Sequence, residues 1–308
     1  MPPPAPSSPP AAPPDPATLR RRSARPPAPI EAFDIPHPDL PERLDGLRVL
    51  HISDVHIRRA RRRTGRWDRI LAAIEATPVD LACFTGDYVD QQGQEPGALI
   101  GLADMIAACR ARLGCFGCFG NHDTPAMRRA ARALAGIRWL SPTPTKPLAD
   151  PDGAEPLPLR LIGLDWPEDP VSAVLSMTEA DAFALRAGGL LADGDFPLTL
   201  VHMPTALLPC AEINLPLMLA GHTHGGQIRL HARLAPHTSS DIPPHLATGC
   251  LRLGRSLCCV SRGVGESWVP GLRINCPRQI PLYTLRRGPL PPEPPGGSPQ
   301  TVNQVLAW

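Results

Sequence analysis

With 308 residues, 43% of them hydrophobic and 19% charged, the sequence can build one large domain with a sizeable core or two small ones. A net charge of +2 excludes a global electrostatic drive toward nucleic acid or an acidic bilayer, and no run approaches the ~20 apolar residues that span a membrane. Nine cysteines, an odd number, accompany an N-terminus without an apolar signal segment, so free thiols in a reducing cytoplasm are expected rather than a disulfide framework.

Residues 1–29 are rich in Pro, Ala, Ser and Arg, lack apolar periodicity and are expected to stay disordered. The folded domain is expected over 30–287, followed by a Pro/Gly-rich tail at 288–308 that is also expected to be disordered. An extended segment starts at Ile30 and runs toward His37, and an apolar strand occupies 47–52. Trp67, Ile70, Leu71 and Ile74 recur at helical spacing until Pro78 ends the helix, and 79–85 reads as a second buried strand. The pattern Leu99, Leu102, Ile106 predicts a helix over 96–113, with a third strand at 115–119. Thr124-Pro125 supplies an N-cap and a proline at the first helical position, opening a helix that Gly136 closes. Cys115 and Cys118 sit three apart in a strand, so their thiols should face opposite ways; that argues against a paired metal or redox site.

The second half repeats the theme less regularly. Strands are expected at 159–164, 197–202 and 217–220, and a helix from Thr178, where Thr178-Glu-Ala-Asp181 approximates a capping box. Short strands follow at 227–230, 257–260, 272–275 and 281–285. Strands alternating with helices argue for βαβ units and mostly parallel sheet, and the strand-rich end for a second, mixed sheet packed on the first.

Five segments place Asp, Asn or His directly after apolar runs: Ser53-Asp54-Val55-His56, Gly86-Asp87-Tyr88-Val89-Asp90, Gly120-Asn121-His122-Asp123, His202, and Gly221-His222-Thr223-His224. In open α/β sheets, ligand sites gather at the carboxyl ends of strands. Asp54, Asp87 and Asn121 are separated by near-equal intervals of about one strand–helix unit, so they should line up at one sheet edge. The set offers N and O ligands for two metal ions, with Asp87 the natural bridging carboxylate. Two such ions activate a shared water and clamp phosphate oxygens.

Other polar residues have plainer readings. His51 lies inside the first strand and reads as a hydrogen-bonded structural histidine; His231, His237 and His245 read as loop or surface residues. Asp90 either caps the next helix or touches the metal shell. The run Arg58-Arg-Ala-Arg-Arg-Arg63, with Arg66, is a solvated face or a binding element for substrate phosphates or anionic lipid headgroups. Arg262 and Gly263 are weaker candidates for phosphate contact.

The five segments resemble those of the calcineurin-like metallophosphoesterase family from about Leu47 to His224, in the family's order and with the expected residue at every ligand position. The resemblance implies an α/β fold, a four-layer αββα sandwich of two mixed β-sheets flanked by helices. It further implies two divalent metal ions (Mn, Zn, Fe or Ni), one on Asp54, His56 and His224, the other on Asn121, His202 and His222, with Asp87 bridging. His122 would contact the scissile phosphate and protonate the leaving oxygen, with Asp123 orienting its ring, while a hydroxide shared by the metals attacks phosphorus. Gly221-His-Thr-His-Gly-Gly-Gln-Ile-Arg-Leu230, Ser261-Arg-Gly-Val-Gly265 and Leu272-Arg-Ile-Asn-Cys-Pro277 resemble the bacterial YaeI-like phosphodiesterase subgroup. That subgroup is similar to enzymes cleaving the pyrophosphate of UDP-2,3-diacylglucosamine in lipid A synthesis. Gln91-Gln92 and Asp123 depart from the Arg-Gly and Glu of the family's protein phosphatases. Many subgroup members begin with a membrane-spanning helix; this sequence has a Pro/Arg-rich arm there.

The resulting expectation is a phosphodiesterase or pyrophosphatase acting on a small phosphodiester or nucleotide-lipid, cytoplasmic, with peripheral contact to an anionic membrane left open. A nuclease or cyclic-nucleotide phosphodiesterase is the alternative enzyme, disfavoured by near-neutral charge and 4% aromatic residues. A non-catalytic scaffold is disfavoured because every ligand and the catalytic His are present.

Overall fold

The periodicities resolve, among the described residues, into twelve strands in two sheets. A computed structural model of the chain describes residues 29–58, 65–166, 190–231, 235–238, 240, 242–267 and 271–306. The arm at 1–28, the helix expected from Thr178 and the arginines at 59–63 lie outside the described residues. In chain order the strands are β1 (Ile30–His37), β2 (Arg48–Ile52), β3 (Val79–Thr85), β4 (Ala111–Cys118), β5 (Ile137–Trp139), β6 (Leu159–Leu164), β7 (Phe196–Val201), β8 (Leu217–Ala220), β9 (Gly249–Leu253), β10 (Ser256–Val260), β11 (Ile280–Arg287) and β12 (Asn303–Leu306). The helices are α1 (Gly65–Glu75), α2 (Glu95–Ala108), α3 (Pro125–Ala131) and α4 (Leu207–Glu212).

One sheet runs β1-β11-β2-β3-β4-β5 and the other β12-β9-β10-β8-β7-β6. β2 through β5 are parallel, as are β6, β7, β8 and β10, while β11 meets β2 antiparallel and β9 meets both β10 and β12 antiparallel. Side chains alternate across each strand. Leu50, Ile52, Ala82, Phe84 and Cys115 therefore join Trp67, Ile70, Leu102 and Met127 of the helices in one core. Val49, Leu81, Cys83, Phe116 and Cys118 face the other sheet's Leu161, Leu198, Leu219 and Cys259 in a second core. Ile162, Met218 and Cys258 carry a third against Leu207 and Cys210 of α4. The result is two mixed sheets flanked by helices. Among the described residues no helix is long and apolar enough to cross a membrane.

Cys115 and Cys118 fall in different cores, and all nine cysteines are free thiols. Thr124 caps α3 by accepting from the Met127 amide at 3.1 Å, but α3 ends at Ala131, well before Gly136. The helix expected over 96–113 stops at Ala108: pairing of Ala111 with Val79 and Gly114 with Leu81 draws 111–113 into β4, tertiary pairing overriding helical pattern. The segments 227–230 and 272–275 are not strands. Gln227 and Asn275 hold φ of 47° and 50°, which breaks extended geometry and leaves a single bridge, Ile228 to Ile274. The tail is partly ordered, because β12 pairs with β9 and the Pro291 carbonyl and Glu293 both engage Arg252.

Candidate metal centre

Loops after β2, β3 and β4 of the first sheet and after β7 and β8 of the second converge at one end of the sandwich. There the chain adopts a costly backbone: Asp54 (φ 51°), His56 (45°), Asp87 (58°), His222 (72°) and His224 (51°) are all left-handed. Non-glycine residues rarely enter this region, and such strain persists only where the surroundings over-determine it. Here the Asp54 amide donates to Gly86 O at 3.0 Å, and the Val55 and His56 amides share Asp87 O at 2.9 and 3.0 Å. Two glycines permit the close approach of the loops. A methyl group at Gly120 would strike Asp87 Oδ1, and one at Gly221 would strike Ser53 Oγ and Asp54 Oδ2.

Potential ligand atoms gather in three overlapping groups, each within 4.8 Å: Asp54, His56 and His224; His56, Asp87 and His122; Asp54, Asp87 and His202. Asp87 Oδ2 lies 3.1 Å from His202 Nε2 and 3.4 Å from His56 Nε2. His224 Nε2 stands 3.0 Å from His56 Nε2 and 3.5 Å from Asp54 Oδ1. His222 Nδ1 lies 3.0 Å from Asn121 Oδ1, its ring 5.1 Å from that of His202, and its amide donates to Asp54 Oδ1 at 2.9 Å. The structure thus brings Asp54, His56, Asp87, Asn121, His122, His202, His222 and His224 to one place, all but Asn121 and His122 buried.

Hydrogen bonds fix the ring tautomers. His202 Nδ1 donates to Thr85 O at 2.7 Å, which turns the Nε2 lone pair inward. His122 Nδ1 donates to Asp90 O at 2.7 Å, and His56 Nδ1 faces Asp90 Oδ1 at 3.2 Å. The Asp90 carboxylate also takes Arg58 Nε at 3.0 Å. Asp90 therefore holds the His56 ring with its side chain and the His122 ring with its main chain, a role beyond helix capping. The expected part for Asp123 is corrected accordingly. Its two oxygens accept the amides of Asp87, Tyr88 and Gly120 at 2.8–2.9 Å, so it braces the loops rather than the His122 ring.

Burial alone would push the Asp87 carboxyl up, but His202 and His56 outweigh it and hold it well below the usual carboxylate range. Burial likewise works against charge on His56 and His202, yet Asp87 raises them to about 10 and about 9. Burial drives His224 well below the usual imidazole value, with the neighbouring His56 cation adding to the effect. Burial, reinforced by Asp87, lifts Asp123 to about 6. The buried Asp87 carboxylate thus favours positive charge around it, whether carried by protons or by a cation. Asp54 Oδ2 is buried without a hydrogen-bond partner, an expensive arrangement unless a cation accepts its lone pair. Carboxylate, imidazole and amide oxygen donors of this kind suit divalent metals, so the residues fit such ions.

Some contributors carry no sequence signal. Arg128 of α3 clamps the loop after β4, donating from Nε to Asp123 O at 2.8 Å, Nη2 to Gly120 O at 2.9 Å and Nη1 to Trp166 O at 2.5 Å. Trp166 stacks on the His222 ring at 5.6 Å. Arg262 is buried and committed to Glu31 and to Pro277 O, which removes it from the phosphate-contact candidates. His231, His237 and His245 are exposed, as expected.

Two mixed sheets with this donor cluster in the loops at one end fit a metal-assisted phosphoester hydrolase. The chain belongs to the calcineurin-like phosphoesterase family, whose sequence profile matches residues 47–226. It is 29% identical over 256 residues to the uncharacterized metallophosphoesterase YkuE of Bacillus subtilis (strain 168), covering 80% of this chain and 82% of YkuE. Phosphodiesterase YaeI of Escherichia coli (strain K12) is 28% identical over 247 residues, covering 77% of this chain and 82% of YaeI. The UDP-2,3-diacylglucosamine pyrophosphatase LpxG of Chlamydia muridarum (strain MoPn / Nigg) is 30% identical over 106 residues, 34% of this chain and 31% of LpxG.

Proposed function

We propose that the protein is a dinuclear metal-dependent phosphodiesterase or pyrophosphatase. The observation that carries this is Asp87 Oδ2, faced by His56 Nε2 from the first sheet's loops at 3.4 Å and by His202 Nε2 from the second sheet's at 3.1 Å. A carboxylate so placed suits sharing between two ions, one held by Asp54, His56 and His224, the other by Asn121, His202 and His222. Bound Mn, Zn, Fe or Ni would supply charge neutralisation for the phosphate and a nucleophile at neutral pH.

The chain's own residues do the rest. His122, anchored through Nδ1 to Asp90 O, turns Nε2 toward the reacting group and delivers the proton that the leaving oxygen needs. Asp123 holds the loops after β3 and β4 in register, and Arg128 ties the second of these to Trp166. UDP-2,3-diacylglucosamine is the leading specific substrate, supported by the LpxG likeness and by the residues following His224. A reducing compartment accords with nine free thiols.

The test is a hydrolysis panel on metal-loaded protein: bis-p-nitrophenyl phosphate, p-nitrophenyl phosphate, cyclic nucleotides and UDP-2,3-diacylglucosamine, beside His122→Ala and Asp87→Asn. Diester or pyrophosphate turnover above monoester turnover, with kcat reduced about 10²–10⁴-fold in His122→Ala, is expected. No turnover with any of the four metals would sink the catalytic reading. Full activity and two bound metals in Asp87→Asn would remove the bridging role.

A further inference from the structure

The family profile ends at residue 226, yet the loops carrying Asp54 and His224 are held from farther along the chain. The segment following β10 lies against the Asp54 loop: the Val264 amide donates to Ser53 O at 3.1 Å and the Gly265 amide to Asp54 O at 2.7 Å. The approach is tight, since a methyl group on Gly263 would strike Asp54 Cβ and one on Gly265 would strike Val55 O. His224 comes from the loop after β8, and its Nε2 ends 3.5 Å from Asp54 Oδ1. Two loops from different strands must therefore keep a fixed separation for these donors to share an ion.

Arg273 ties the two together. Its guanidinium turns inward while its neighbours Leu272 and Ile274 stay exposed, and it meets main-chain carbonyls of three segments. Nε donates to Gly265 O at 3.1 Å, and Nη2 donates to Gly265 O at 2.6 Å and to Arg262 O at 2.7 Å. Nη1 donates to His224 O and to Cys276 O, each at 3.3 Å. A guanidinium carries its N–H donors in a rigid planar fork, and these bonds occupy every one of them. Nη2 also packs 3.3 Å from His224 Nδ1, its protons being taken by the shorter carbonyl bonds. Bonds from a charged donor are roughly twice as strong as neutral ones, so the tie is stiff. The other donors are held by different means: His202 hangs from Thr85 O, and Arg128 holds Gly120 O beside Asn121. We infer that Arg273 is a positioning residue for one half of the metal centre, fixing His224 against Asp54 and so setting affinity for the ion assigned to Asp54, His56 and His224. This step rests on the two-ion reading. Arg273 acts through those ligands and not on the reacting atoms.

The experiment is titration of the full chain with Mn²⁺ against a chelator, with electron spin resonance separating a coupled pair of ions from a lone one. Wild type, Arg273→Lys and Arg273→Met are compared; His224→Ala and Asn121→Ala mark the loss of each half, and melting of the metal-free proteins is followed beside them. Lysine keeps the charge and the stem but gathers its donors on one nitrogen, which cannot span the three segments. Wild type should bind two ions. Both Arg273 variants should weaken one of them about 10–100-fold, reproducing the pattern of His224→Ala and not that of Asn121→Ala. Arg273→Met/His224→Ala should bind Mn²⁺ as His224→Ala does, because both changes act on one site. A purely structural clamp would lower the melting temperature and leave both affinities intact. That result, equal weakening of both ions, a pattern like Asn121→Ala, additive loss in the double variant, or failure of both Arg273 variants to fold would each overturn the inference. If only the methionine variant fails to fold, the lysine variant decides. A single ion in wild type would instead sink the two-ion reading; the role of Arg273 would then stand if that ion is lost in His224→Ala and weakened in Arg273→Lys, and fall otherwise.

Discussion

Asp90→Asn separates the two tasks that converge on Asp90. The side chain holds His56 Nδ1 at 3.2 Å and Arg58 Nε at 3.0 Å, whereas His122 hangs from the main-chain carbonyl at 2.7 Å. Burial alone would raise the Asp90 carboxyl, but His56 and Arg58 keep it below its ordinary value, so a full negative charge backs the His56 ring. Asparagine keeps the shape and removes that charge. A hydrogen bond to a charged group contributes about 1.5–3 kcal/mol, and losing an outer-shell partner of a metal-bound histidine costs about 10–100-fold in affinity. Asp90→Asn should therefore weaken metal binding by about that factor in chelator competition. At saturating metal, kcat should return to within roughly threefold of wild type, because the carbonyl that orients His122 is untouched. Unchanged metal affinity, or a kcat deficit that excess metal leaves in place, would refute the division of labour.

Three further variants probe the surroundings of the cluster. Asp123→Asn replaces an oxygen that accepts backbone amides with a donor; a stability loss of about 1–3 kcal/mol in calorimetry is expected, with the alkaline limb of the pH–kcat profile, where the general acid loses its proton, left in place. An alkaline limb displaced to lower pH would restore Asp123 as the partner of His122. Gly221→Ala drives a methyl group into Ser53 Oγ and Asp54 Oδ2, and should cost about 1–3 kcal/mol together with metal affinity; an unchanged melting curve and metal titration would contradict the packing. His51 is fully buried against Thr85 Oγ1 at 2.8 Å, and burial depresses it to about 3 from 6.5. It is neutral when folded and takes a proton when unfolded below pH 6.5, so its contribution is present above that pH and lost as pH falls toward 3. His51→Gln should flatten part of this acid sensitivity, at most roughly 3 kcal/mol, in denaturation curves between pH 6.5 and 4; equal slopes in both proteins would count against it.

The strands that carry the ligands were legible because buried parallel strands are short apolar runs, and a polar residue such as Asp54 or Asp87 at the end of one is conspicuous. Periodicity also found β1, β3 and β6 and the face of α1. Long-range pairing left no such mark: the 96–113 pattern is helical by spacing, yet β3 recruits its end into β4. β9 and β12 stabilise one another across the sequence, so neither announces itself locally. Within the site, residue types at spacing identified the donors but not the braces. Asp90 holds His122 through a carbonyl that every residue possesses, and Arg128 looks like any charged residue on an amphipathic helix. The exchange of parts between Asp90 and Asp123 follows directly, since adjacency in sequence to His122 does not predict which carboxylate or carbonyl the fold carries to its ring.

The insertion of β11 between β1 and β2 has a consequence for how the protein is made. Ile30 pairs with Ile280, and Leu50 with Leu282, so the strand preceding the Asp54 loop keeps an open edge until residues 280–284 have been made and have docked. Such closure across the full sequence is slow and leaves an unpaired edge available to other chains meanwhile. Chains released short of residue 280 would leave β1 without its partner and the edge of β2 bare while already carrying the whole donor cluster. Fragments of that kind are prone to aggregation, and expression yield would track arrival of β11 rather than assembly of the cluster.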